Sequence, residues 1–166
     1  MTDLEACRGR AHVVQPGGGL SFWQPKPANG HADPMLYPAV TGYDGLSMGF
    51  QTVAPGGRIR AHAHSDQFEL QICFSGQGHV MVDGERHELK PGTACFLGPD
   101  VVHEIVNDGE DGLVQLWMIG PGGLENFFRA IGRERRPGEP TPEPFERPAD
   151  VSAIEKALGF DKTEQT

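Results

Sequence analysis

Four residues, His62, His64, Glu69 and His103, have the types and spacing to hold a metal ion. They lie in the segments GGRIRAHAHSDQFELQICFSG and GPDVVHEIVN. Three neutral imidazoles and one carboxylate suit one divalent transition metal (Fe, Ni, Mn, Cu or Zn) rather than Mg or Ca. His62 and His64 are two residues apart, so on a β-strand both rings point to the same face. Glu69 opens the next apolar run, and a turn at Ser65-Asp66 folds it back beside the histidines. His103 must then come from a third strand. Metal donors have to converge to within about 2.0–2.3 Å of one point, so a barrel or sandwich must gather the four. On a six-coordinate ion, four protein ligands leave two open positions, which is the mark of a catalytic site.

The elements that could do this gathering are short strands. SMGFQTV, QFELQICF, HVMV, RHEL, TACFL, HEIVN and LVQLWMI are rich in β-branched, aromatic or aliphatic residues and are separated by turn signals. Asp83-Gly84 is a two-residue hairpin turn, and Pro91-Gly92 is another turn. Regular spacing of this kind predicts an antiparallel sandwich or barrel, and the lack of an internal repeat predicts one such domain. Residues 1–45, rich in Gly and Pro, read as an arm draped over the barrel, with one or two strands and with Phe22, Trp23 and Tyr37 as anchors. Residues 46–120 are the barrel and 121–166 a helical tail. In LENFFRAIG, Leu124, Phe127, Phe128 and Ile131 follow a helical stripe. After a Pro-rich linker, Asp150 caps a second helix with Ile154 and Leu158 on its apolar face, stopped by Gly159. The two helices are expected to close over one face or mouth of the barrel, and the terminal DKTEQT to fray.

The ligand segment resembles the first motif of the cupin superfamily, G-x5-H-x-H-x(3,4)-E-x6-G. Gly56, His62, His64, Glu69 and Gly76 occupy its positions. The second motif, G-x5-P-x-G-x2-H-x3-N, is matched at His103 and Asn107. Gly98 stands where its proline belongs and Asp100 where its second glycine belongs, while Pro99 lies one residue later. The likeness covers roughly residues 46 to 120. It implies an all-β fold, a single cupin (double-stranded β-helix or jelly-roll) barrel with the metal at its centre, and a homodimer. The tail also resembles the lid of single-domain quercetin-dioxygenase-like cupins. The chemistry this implies is dioxygenation of a small enolisable or phenolic substrate held by its oxygen at the metal, with Glu69 as general base. Two alternatives stay open: a non-redox metal-dependent lyase, isomerase or decarboxylase, and a non-catalytic small-molecule-binding cupin.

Further pocket candidates follow from strand parity. Gln67, Glu69, Gln71 and Cys73 share one face, so an inward Glu69 carries Gln71 inward with it. A buried Gln needs partners, so Gln71 orients a ligand, contacts substrate, or is bonded to backbone in the core. Arg60 shares parity with His62 and His64; within the pocket it would favour a carboxylate or enolate, and at the rim it would simply be solvated. Phe50 and Trp117, with Phe68, Phe74 and Phe96, could line a cavity for an aromatic substrate or serve as core. His79 and His87 flank the Asp83-Gly84 turn and read as solvated hairpin residues.

Composition narrows the partners. A net charge of −9, from 14 basic and 23 acidic residues without a Lys/Arg run, disfavours nucleic acid and anionic membranes. MTDLEACRGR lacks the apolar stretch of a signal peptide, and no run of 18 apolar residues occurs, so a cytoplasmic protein is expected. Cys7, Cys73 and Cys95 are odd in number and unclustered, and read as reduced thiols.

Overall fold

The apolar runs become strands of two antiparallel sheets in the computed structural model, which describes residues 4–161. The larger sheet contains β1 (Phe22–Trp23), β2 (His31–Leu36), β3 (Ser47–Val53), β5 (Phe68–Ser75), β8 (Ala94–Leu97), β10 (Leu113–Gly120) and β11 (Arg133–Glu134). Their order is β11-β1-β2-β3-β10-β5-β8. The smaller contains β4 (Arg58–His64), β6 (Gly78–Val82), β7 (Glu85–Leu89), β9 (His103–Val106) and β12 (Phe160–Asp161), in the order β12-β4-β9-β6-β7. The sheets stay two rather than closing into one barrel, which is the jelly-roll arrangement. Three short helices accompany them: α1 (Pro38–Thr41), α2 (Leu124–Ile131) and α3 (Val151–Ala157). Among the described residues, no helix is long and apolar enough to cross a membrane.

Alternation decides which side chains face inward. In β3, Ser47, Gly49, Gln51 and Val53 are buried, and in β10 Leu113, Gln115, Trp117 and Ile119 are buried. The core falls into two clusters. Val53, Cys73, Val80, Leu89, Ile105 and Leu113 fill one region between the sheets. Phe22, Ala32, Trp117, Ile119, Leu124, Phe128 and Phe160 fill the other and join the sheets to α2 and the C-terminal segment.

The turns have the chemistry their residues demand. Asp83 and Gly84 adopt φ of 47° and 87°, the paired positive values of a type I′ hairpin joining β6 to β7. At the second turn, Thr93 N–H donates to Lys90 O at 2.9 Å across Pro91-Gly92, with Gly92 at φ 95°. That is a type II turn.

Residues 1–45 carry two strands, β1 and β2, and β2 pairs with β3 from His31↔Thr52 to Leu36↔Met48. Several expectations need correction in detail. Phe22 and Trp23 are buried, but Tyr37 is only half-buried. Asp150 occupies the N-cap of α3 without a side-chain cap hydrogen bond. The buried residue of that helix is Glu155, while Ile154 and Leu158 are only partly buried. Of the DKTEQT tail, Asp161 pairs in β12 with Ala63, and residues 162–166 lie outside the described residues.

Candidate metal centre

The metal-ligating atoms of His62, His64, Glu69 and His103 all lie within 4.8 Å of one another. β4 supplies the first two, spaced so that both rings share a face, with centroids 5.1 Å apart. β9 runs beside β4 and brings His103 directly opposite His62, centroids 4.2 Å apart. The β4–β9 register shifts between Ile59 and His62, an irregularity that re-aims the strand just before the histidines. Glu69 enters from β5 in the other sheet, its Oε2 3.3 Å from His64 Nε2 and 3.2 Å from His103 Nε2.

The polar surroundings orient these rings. His62 Nδ1 lies 2.8 Å from Arg60 O and His103 Nδ1 3.0 Å from Val101 O. A backbone carbonyl can only accept, so each Nδ1 carries the proton and each Nε2 presents its lone pair. His103 Nε2 is buried and, despite its proximity to Glu69, lacks a well-directed hydrogen bond. Inward lone pairs, an aimed carboxylate and an orphaned buried nitrogen together fit a metal ion. The three His and one Glu form one cluster able to hold a metal ion.

Electrostatics points the same way. His62 is pushed down to about 3, first by burial and then by the charges that His103 and His64 would carry, so it is neutral and able to ligate at ordinary pH. Burial works to raise the Glu69 carboxyl, but contacts and charge from His103 and His64 outweigh it and hold Glu69 below the ordinary carboxylate range. Burial likewise works to lower His103, and the Glu69 contact overcomes it and raises His103.

These shifts set a pH dependence for the metal-free protein. The unfolded chain protonates His62 near 6.5 and the folded chain only near 3. Between those values the unfolded state binds more protons, so stability falls as pH falls. Glu69 adds loss in the same direction below its ordinary value of 4.5, while His103, raised, acts oppositely above 6.5. Thermal unfolding after chelation should show Tm dropping steadily from pH 6.5 towards pH 4. A flat profile would contradict the neutral, partly buried His62.

The motif residues that are not ligands build the loops that carry the ligands. Asp100 stands where the motif has glycine and still adopts φ 62°, a conformation Asp tolerates better than most residues. Its N–H donates to His64 O at 2.8 Å, tying the loop before His103 to the end of β4. At Gly76, with φ 83°, an added Cβ would sit 2.5 Å from Gly112 O, so the close approach requires glycine. Asn107 is fully buried. Its Nδ2 donates to Val53 O and Asp111 O, each at 2.8 Å, and its Oδ1 accepts from Gly109 N–H at 3.0 Å. Replacing Asn107 with alanine should therefore cost about 2–4 kcal/mol, because it leaves backbone groups unsatisfied. Chemical denaturation would measure this, and a loss below about 0.5 kcal/mol would contradict the structural role.

Beside the ligands opens a cavity of about 80 Å³, and His62, His64 and Glu69 line it. Arg60 and Gln71 line it too, Gln71 at 5% exposure. Leu124, Phe127, Phe128 and Ile131 of α2 and Phe160 of β12 form an apolar wall. Two expected lining residues lie elsewhere. Phe50 occupies the outward parity of β3 and packs edge-on against Phe74, itself 61% exposed, on the outer face of the larger sheet. Trp117 is 2% exposed and sits in the core against Phe128, supporting the wall without lining the cavity. His79 bonds Asp108 at 2.8 Å and His87 lies on the exposed hairpin, both away from the centre.

Sequence reasoning missed Gln51, Arg147 and Glu155, which also line the cavity. It missed Gln115 as well, the register partner of Gln51, whose amide atoms are both buried without a partner among the described residues. Alternation in SMGFQTV and LVQLWMI places both glutamines inward and was the available signal. Nothing local marks Glu155, whose partners are Arg60 and Arg147.

Residues 49–119 match the family described as the cupin domain. Its curated relatives carry several activities in their names. A dimethylsulfoniopropionate lyase of Ruegeria pomeroyi is 32% identical over 41% of this chain and 43% of its own. Quercetin 2,3-dioxygenase of Bacillus subtilis is 31% identical over 46% of this chain and 23% of its own. An oxalate-binding protein of Thermotoga maritima is 31% identical over 39% and 54%. The matches thus span about half or less of these relatives. Among solved structures, a predicted oxalate decarboxylase from Thermotoga maritima superposes with a TM-score of 0.60 at 21% identity, covering 66% of this chain and 99% of that one. KdgF from a Halomonas species gives 0.54 at 19% identity, over 63% and 89%. At these identities the structures speak for the fold alone.

Proposed function

We propose that the protein is a metal-dependent dioxygenase acting on a small enolisable or phenolic substrate. The observation that supports it is the convergence of three imidazole donors and one carboxylate at the floor of a cavity with an apolar wall. A bound divalent transition metal would polarise the substrate oxygen and, if redox-active, would supply reactivity towards dioxygen. The chain's own groups do the rest. Glu69, ionised and aimed at the cluster, accepts the proton of the enol or phenol hydroxyl. Gln71, two residues along β5 on the same face, directs its amide at the substrate's polar end. Phe127, Phe128 and Leu124 exclude water and receive the apolar body.

Oxygen uptake by the metal-loaded protein with flavonols and diketones tests the reading. Uptake that depends on both metal and substrate is expected. Metal-dependent substrate loss without oxygen consumption would replace it with the second reading, a non-redox lyase or decarboxylase. The name of the dimethylsulfoniopropionate lyase favours that alternative.

A further inference from the structure

We propose that Arg60 and Arg147 form a carboxylate-binding subsite at the mouth of the cavity, held in this structure by Glu155 and taken over by an acidic ligand when one enters. The proposal rests on the reading of the cavity as the substrate's route to the metal centre.

Two guanidinium groups converge on one carboxylate oxygen. Glu155 Oε1 accepts from Arg60 Nη2 at 2.8 Å and from Arg147 Nη1 at 2.7 Å. All three residues line the same cavity as His62, His64 and Glu69. The other lining cations face carboxylates of their own, Lys26 facing Glu146 at 2.6 Å and Arg58 facing Glu104 at 3.6 Å. At the mouth itself two guanidinium groups share the single carboxylate of Glu155, in a chain whose net charge is −9. Planar guanidinium forks recognise a carboxylate by geometry as well as by charge.

Glu155 is the buried residue of α3, a helix of seven residues, too short to persist without tertiary support. The helix is docked through this carboxylate as well as through Leu158 and Phe160, which pack into the apolar core just beyond it. The side chains of Glu155 and Arg147 are 9% and 17% exposed and that of Arg60 is 35%, so Arg147 above all cannot be left unpaired cheaply when α3 lifts. A small ligand carboxylate can replace Glu155 with its charge and shape conserved. Its apolar body would meet Phe127 and Leu124, and its far end would run towards His62, two residues from Arg60 and roughly 7 Å along the strand. The ligand class is accordingly a small carboxylate with an apolar body, and α3 is the element it displaces.

Calorimetric titration of the full-length, metal-loaded protein with propionate tests this, with propionamide as the uncharged control. Glu155→Gln, which removes the internal competitor, should bind propionate at least tenfold more tightly than the native protein. Arg60→Gln and Arg147→Gln should each lose that binding, and propionamide should bind none of them. Equal affinity of E155Q and native protein, or binding that survives both arginine replacements, would overturn the proposal. Should E155Q fail to fold, hydrogen exchange on the native protein decides. Propionate should speed exchange in residues 151–161, and unchanged exchange at saturating propionate would overturn the displacement. Metal content measured on the same samples separates the two readings. Normal metal without a carboxylate preference sinks the subsite alone, whereas absent metal with propionate behaving as expected sinks the metal centre alone.

Discussion

Replacing His103 with alanine abolishes metal binding and leaves the jelly roll folded. His103 is 1% exposed and supplies its donor from the smaller sheet beside His62, while Glu69 closes the set from the larger sheet. Loss of a partner that merely orients a ligand typically weakens a site 10- to 100-fold, so loss of the ligand itself should exceed about 100-fold. The fold should survive, because the two apolar clusters that join the sheets contain none of the four ligands. His62→Ala should behave alike. Metal analysis and circular dichroism on the same sample check both halves. A protein that unfolds would make the metal structural, and one that keeps its metal would remove His103 from the site.

Trp117→Ala should give the largest loss of stability, about 3–5 kcal/mol, a large share of the 5–15 kcal/mol a domain possesses. The indole lies at the centre of β10, fully buried, with its ring 5.5 Å from that of Phe128. Phe128 is part of the cavity wall, so the void would open directly behind the site. Opposite it sits Gly49, where an added Cβ would come within 2.7 Å of the Trp117 ring and 2.4 Å of Asp33 O. Gly49→Ala should therefore press on the same contact from the other side, by overpacking rather than by a void. Denaturation of both variants measures the effect. A loss under about 1 kcal/mol for Trp117→Ala would mean that the wall collapses onto the void without consequence.

Some of this was legible because it depends on spacing alone. His62 and His64 share a face at any place in any strand, and Asp83-Gly84 adopts its positive φ values from local preference. The inward row of Glu69, Gln71 and Cys73 follows from the two-residue period once one member is placed. Phe50 was misplaced because its own parity in β3, opposite to that of Gln51, was not applied to it. Glu155 was invisible for another reason. Its neighbours Ile154 and Leu158 suggested an apolar docking face, yet it pairs with Arg147 across the Pro-rich linker and with Arg60, 95 positions away. Burial of a charge is decided by the tertiary partner, and the local pattern carries no trace of it. The two-residue strand β12 is similar, existing because β4 offers an edge beside His64.

The most direct test of the central claim is elemental analysis of the purified protein, by plasma mass spectrometry, without added metal. The four convergent donors predict about one divalent transition metal ion per chain, with Fe, Ni, Mn or Cu favouring oxygen chemistry and Zn the non-redox alternative. A protein that carries no metal and takes none up on reconstitution would contradict the account.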